Sequence, residues 1–284
     1  MIRNDAARET IAPTIGVFDS GFGGLTVLRS LIQHMPRARY AFIGDTARLP
    51  YGSKSRRTIA RYAAQSAQFL VREQGAEFLV IACNTASALA LDAIKEAVPG
   101  VPVLGVIEPG ADAARAASRS GDVLVIATDA TVQSHAYLTA CRERGLRAIE
   151  KACPLLVPLV EEGWIDHPVT ADVIDIYLNE LRAEAAANDL RPDTLVLGCT
   201  HYPMLRSAFE NAVRPGVTVI DSAESTARAA VKFFDKSPMR LVGGGPDETE
   251  VHCFATDSVE KFERLGSRFL GRPVGNVTLV DLGG

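Results

Sequence analysis

This chain lacks long apolar runs. Across its 284 residues, each apolar stretch is interrupted by Asn, Thr, Gly or Pro well short of a membrane span of about 20 residues. The opening segment, MIRNDAARETIAP, has no apolar core of signal-peptide length, so a cytoplasmic location is expected. Positive charge is not in excess either. The 30 Lys and Arg against 34 Asp and Glu leave a net charge of −4, with no basic cluster to offset it. That balance argues against broad binding to nucleic acid or anionic lipid and favours a small-molecule partner. Paired cysteines are missing too. Cys83, Cys141, Cys153, Cys199 and Cys253 form an odd set without a C-x-x-C spacing, and the cytosol keeps thiols reduced, so no disulfide framework is expected.

What is present suits a folded α/β protein. Hydrophobic residues at 47% and charged residues at 23% are typical of soluble globular chains, and the length suits about two domains. Short apolar runs such as TIGVF, YAFIG and FLVIAC alternate with longer stretches at helical spacing. The alternation predicts β-α units and mostly parallel, buried sheets. A second series follows through DVLVIAT and TLVLGCT. FLVIACNTAS and TLVLGCTHYP echo each other about one domain length apart, each an apolar strand ending in a small residue and a cysteine. The repeat predicts two similar, pseudo-symmetric α/β lobes: residues 1–106 plus 216–284 form the first and 107–215 the second. The loop GGGPDET falls in the returning part of the first. Ligands bind beyond the carboxyl ends of strands in open α/β sheets, which would put both thiols at one interdomain cleft.

Several segments carry candidate chemistry. In IGVFDSGFGGLTV, a strand ends at Asp19, and Ser20, Gly21, Gly23 and Gly24 form either a structural turn or one whose N–H groups bind a carboxylate. It is a poor dinucleotide fingerprint, because Thr26 stands where glycine is needed, and no P-loop lysine follows. GDTARLPYGSKS reads first as a tight structural turn. Single buried cysteines are usually core, and Cys141, Cys153 and Cys253 are read that way. Cys83 and Cys199 differ: both end strands, both precede hydrogen-bonding side chains, and the repeat relates them. Structural zinc needs about four ligands and catalytic zinc about three, whereas only Cys199 and His201 are close, so no metal is expected. An acyl-transfer nucleophile with His201 as base would leave Cys83 unexplained. Two related thiols suit inversion of a carbon centre, with a base on one face and an acid on the other. A thiol pKa near 8.5 serves both roles.

Four motifs in order then resemble the glutamate racemase family: Asp19-Ser20-Gly21-x-Gly23-Gly24, Asp45-Thr46-Ala47-Arg48-x-Pro50-Tyr51-Gly52, Ala82-Cys83-Asn84-Thr85 and Gly198-Cys199-Thr200-His201-Tyr202-Pro203. A weaker match lies in FERLGSRFLG. The resemblance implies cofactor-independent interconversion of L- and D-glutamate, D-glutamate for the bacterial cell wall, and a homodimer. It implies that Cys83 deprotonates D-glutamate and Cys199 L-glutamate, assisted by Asp19 and His201 respectively. Glu161, with Glu162 as the alternative, would be a further assisting carboxylate. Asp19, Ser20, Pro50, Tyr51, Gly52, Asn84, Thr85, Thr200 and His201 would bind substrate. Aspartate racemases carry an acidic residue in place of His201, which favours glutamate. A non-catalytic protein that binds an acidic amino acid is the alternative from another class, and the two intact thiols speak against it.

Overall fold

The computed structural model describes residues 12–237 and 249–283. The opening segment through residue 11 and residues 243–248 of the GGGPDET loop lie outside the described residues. The first β-α units are β1 (Thr14–Asp19), α1 (Leu25–His34), β2 (Arg39–Gly44), α2 (Arg56–Arg72), β3 (Phe78–Ile81), α3 (Asn84–Leu89), α4 (Leu91–Ala97) and β4 (Val103–Gly105). The chain then passes through α5 (Ile107–Ala117) into β5 (Asp122–Ala127), α6 (Asp129–Gln133), α7 (Ala136–Glu143), β6 (Arg147–Ala152) and α8 (Leu156–Glu161). Next come α9 (Pro168–Ala187), β7 (Thr194–Gly198), α10 (Arg206–Ala212) and β8 (Thr218–Asp221). The remaining elements are α11 (Ser222–Lys236), β9 (Val251–Ala255), α12 (Val259–Leu270) and β10 (Val277–Leu279).

Among the described residues the strands form two sheets, ordered β10-β9-β2-β1-β3-β4 and β6-β5-β7-β8. All pairings are parallel. Parallel strands need helical crossovers that cover both faces, and so the central strands read as continuous apolar runs. β3, β5 and β7 are buried at every position. The order β2-β1-β3-β4 in one sheet repeats as β6-β5-β7-β8 in the other. β1 therefore corresponds to β5, and β3 to β7. The fold is two α/β lobes, the second with four strands, the first extended by β9 and β10. β8 pairs with β7, so residues 218–221 lie in the second sheet rather than the first.

Local signals set several helix starts. Ser55 caps α2 by accepting the Thr58 N–H at 3.4 Å, Asp221 caps α11 through Glu224 at 2.9 Å, and α9 begins with Pro168. The lobes are stitched together near the strand ends. Thr26 of α1 donates to the Thr200 carbonyl at 3.0 Å, and Tyr137 of α7 donates to Asn84 Oδ1 at 2.8 Å.

Candidate active site

β3 and β7, the equivalent strands, each deliver a cysteine. Cys83 follows β3 and is the N-cap of α3, its sulfur accepting the Ala86 N–H at 3.4 Å. Its thiol lies 3.5 Å from Ser20 Oγ, beyond the end of β1. Cys199 follows β7, with its sulfur 4.0 Å from His201 Nδ1. The other imidazole nitrogen, Nε2, is 3.3 Å from Glu161 Oε1 at the end of α8. The two thiols, 5% and 6% exposed, line one cavity of about 390 Å³. A cavity of this size suits a small metabolite.

Ser20, Pro50, Tyr51, Gly52, Asn84, Thr85, Thr200, His201, Glu161 and Glu162 line the same cavity. Asp19 does not. It is 1% exposed behind the cavity wall, with Oδ2 accepting the Gly21 N–H at 3.0 Å and Oδ1 buried without a hydrogen-bond partner among the described residues. Tyr51 lines the cavity, yet its hydroxyl donates to buried Asp45 at 2.5 Å. Arg48 also turns to Asp45, its Nε 2.8 Å from Oδ2, and Thr256 of the first lobe donates to the other oxygen at 2.9 Å. This network ties the Pro50-Tyr51-Gly52 turn to the end of β9. Among the described residues, no Lys or Arg lines the cavity. Anionic groups would meet the hydroxyls of Ser20, Thr85 and Thr200, the Asn84 amide and the His201 ring, with the carboxylates of Asp129, Glu161 and Glu162 also in the lining.

Thr128 and Asp129, at the end of β5, line the cavity and are absent from the sequence expectation. The hydroxyls of Thr85, Thr128 and Thr131 form a triangle with edges of 3.0, 3.2 and 3.0 Å across the lobes. β5 occupies in its sheet the place of β1, so these two residues stand where Ser20 stands in the first lobe, a match of topology and not of residue type. Among the described residues, no three His, Cys, Asp or Glu side chains group so as to hold a metal ion.

Electrostatics divide the two sides. Burial pushes the Cys83 thiol up to about 12, with a smaller contribution from the Asp19 charge, against hydrogen bonds from Ser20 and the Ala86 N–H. Burial also raises the Asp19 carboxyl, opposed by His201 and the N–H groups of Gly24, Gly21 and Ser20. For His201, burial favours the neutral ring, but hydrogen bonds and charges at Cys199 and Glu161 outweigh it and push the imidazole up to about 10. Burial would raise Glu161, yet His201 and Lys261 together hold it below the usual carboxylate value. On the β7 side the imidazole thus lies between the Cys199 sulfur and the Glu161 carboxylate.

Residues 15–230 match the family described as Asp/Glu/Hydantoin racemase. The chain belongs to that family. Among racemase relatives, the glutamate racemase of Koribacter versatilis is 53% identical, over 96% of this chain and 98% of its own. The solved glutamate racemase of Francisella tularensis, in complex with D-glutamate, is 32% identical with a TM-score of 0.84, covering 96% of this chain and 98% of that one. That of Thermus thermophilus, in complex with beta-chloro-D-alanine, is 42% identical with a TM-score of 0.82 over the same shares. For a racemase, which must exchange a proton on both faces of a carbon, a cavity walled by thiols from two equivalent strands is an apt arrangement.

Proposed function

We propose that the protein interconverts L- and D-glutamate by a two-thiol mechanism that needs no cofactor. The observation that carries this reading is the pair of cysteines at equivalent strand ends of two matching sheets, both facing one cavity. Cys83, as thiolate, takes the α-proton of D-glutamate, and the Cys199 thiol returns a proton to the opposite face. In the other direction Cys199 is the base and Cys83 the acid. One C–H bond breaks and one forms, and the charge moves from one sulfur to the other.

An amino-acid Cα–H is a very weak acid, so the carbanion-like transition state depends on fixed donors around the carboxylate and on exclusion of water. Ser20, Asn84, Thr85 and Thr200 supply donors, as do backbone N–H groups of the Pro50-Tyr51-Gly52 turn. His201, held by Glu161, assists Cys199. Asp19 does not line the cavity and acts on Cys83 from behind the wall through charge, which makes the thiolate harder to form but a stronger base. Glutamate is the substrate favoured by the names of the relatives and by His201. The product would serve bacterial peptidoglycan synthesis, and with it cell-wall biogenesis and cell shape. A homodimer in the cytoplasm fits the same reading, as does a lobe boundary after Asp221 rather than before Gly216.

Incubation of the purified protein with L-glutamate in D2O tests the proposal. Loss of optical activity should accompany deuterium at Cα. If neither changes while L-aspartate is turned over, the substrate is wrong; if neither amino acid changes, so is the reaction.

A further inference from the structure

The first lobe backs the β7 side of the cavity through α12, which touches His201 and Glu161 without lining the cavity itself. This helix lies between β9 and β10, both strands of the first sheet. Its Phe269 ring sits edge-on to His201, with centroids 5.1 Å apart and planes at 76°. Its Lys261 Nζ lies 3.5 Å from Glu161 Oε2, while Glu161 Oε1 faces His201 Nε2 at 3.3 Å. The same ammonium lies 5.5 Å from the centre of the Phe22 ring, and Phe22 also neighbours His201. A chain of contacts thus runs from the first lobe through Lys261, Glu161 and His201 to Cys199 in the second.

A second cavity, of about 180 Å³, lies between α8 and α12. Its lining includes Glu161, Glu162, Lys261, Arg264 and Arg268. Glu161 therefore borders both cavities, with His201 on one side and three cations on the other. The groups that bear on His201 are Cys199 and Glu161 of its own lobe and Asp19 of the first. A carboxylate in this position can swing toward the arginines unless something fixes it.

We propose that Lys261 is a positioning residue that pins Glu161 against His201 from across the cleft. The proposal rests on the assignment of Cys199 and His201 to racemisation. Without Lys261, Glu161 turns toward Arg264 and Arg268, and His201 loses part of its carboxylate partner. Lys261 is 44% exposed along its side chain, so its replacement leaves the core untouched.

The experiment compares Lys261→Met and Lys261→Arg in the full chain by NMR titration of the His201 ring, assigned with His201→Gln among the five histidines. In Lys261→Met the ring should titrate about half a pH unit or more lower, the scale of one exposed ion pair. Its kcat on glutamate should fall several-fold with KM changed less. Lys261→Arg should restore both, and in a Glu161→Gln background Lys261→Met should add no further shift. A His201 titration that stays put overturns the proposal. One that moves up does so as well, because Lys261 would then act only as a screening charge. The ring titration does not depend on turnover, so failure of the wild-type protein to racemise glutamate would overturn the functional reading separately.

Discussion

A cysteine at a helix N-cap normally has its thiol pKa lowered by the N–H groups it faces. At Cys83 burial wins, and the thiol is pushed up to about 12. Cys153 and Cys253 are raised to about 12 and Cys141 to about 11, in each case chiefly by burial. These four thiols hold protons in the folded state at pH values where the unfolded chain has released them, so stability falls as pH rises above about 9. His201 adds the same sign earlier: its raised pKa contributes stability that is full below about 6.5 and is lost on rising through about 10. Urea midpoints should therefore decline steadily from pH 7 to 10, and a flat series would contradict these shifts. For function, Cys83→Ala or Cys199→Ala should lower racemisation by at least about 10²-fold, the lower range for a positioned acid or base. Cys141→Ala should leave it nearly intact, as measured by loss of optical activity. The two thiols were legible in the sequence because each sits in a motif that repeats. The burial of Asp19 behind the wall was not, since a residue's side of a turn depends on how the following helix packs.

At the scale of elements, alternation of apolar runs with helical stretches was enough to read parallel sheets, because strands covered on both faces leave an unbroken apolar signature. The place of β8 was harder. Its four residues carry little pattern, and only pairing with β7 assigns it to the second sheet. Thr128 and Asp129 escaped for a similar reason. The thiols made β3 and β7 conspicuous, whereas β1 and β5 end in different residue types and match only in topology. The turn after β1 shows how tightly the elements meet: a Cβ on Gly23 would come within 2.5 Å of His201 Nδ1 and of Thr200 Oγ1. Gly23→Ala should therefore displace the His201 ring and cut kcat severely, at a stability cost of about 1–3 kcal/mol, the range for overpacking. Thermal melting alongside turnover would check this, and normal turnover in a folded variant would contradict it.

At the scale of the whole molecule, two lobes of like topology bring one thiol each to a shared cavity. If the chemistry is proton transfer between sulfur and carbon, as proposed, prolonged treatment with a chelator should leave the rate unchanged. Loss of activity, restored by adding metal, would instead revive the zinc reading set aside on ligand spacing. The equilibrium should be an even mixture of enantiomers, because these have equal free energy in achiral water. A substitution that slows one direction must therefore slow the other in kcat/KM by the same factor, whichever thiol it touches.

The chain passes between the sheets twice, once from β4 into α5 and once from β8 into α11, and these two helices pack on each other. Two adjacent straps of this kind favour a bend about the line through them over a twist, and the cross-lobe contacts at the strand ends must give way for it. If the proposed two-thiol chemistry holds, opening the cleft along that bend would part the thiols without changing which face of the carbon each one meets. On the proposed two-thiol reading, the assignment of one thiol to each face of the carbon is thus protected by the mechanics of the joint.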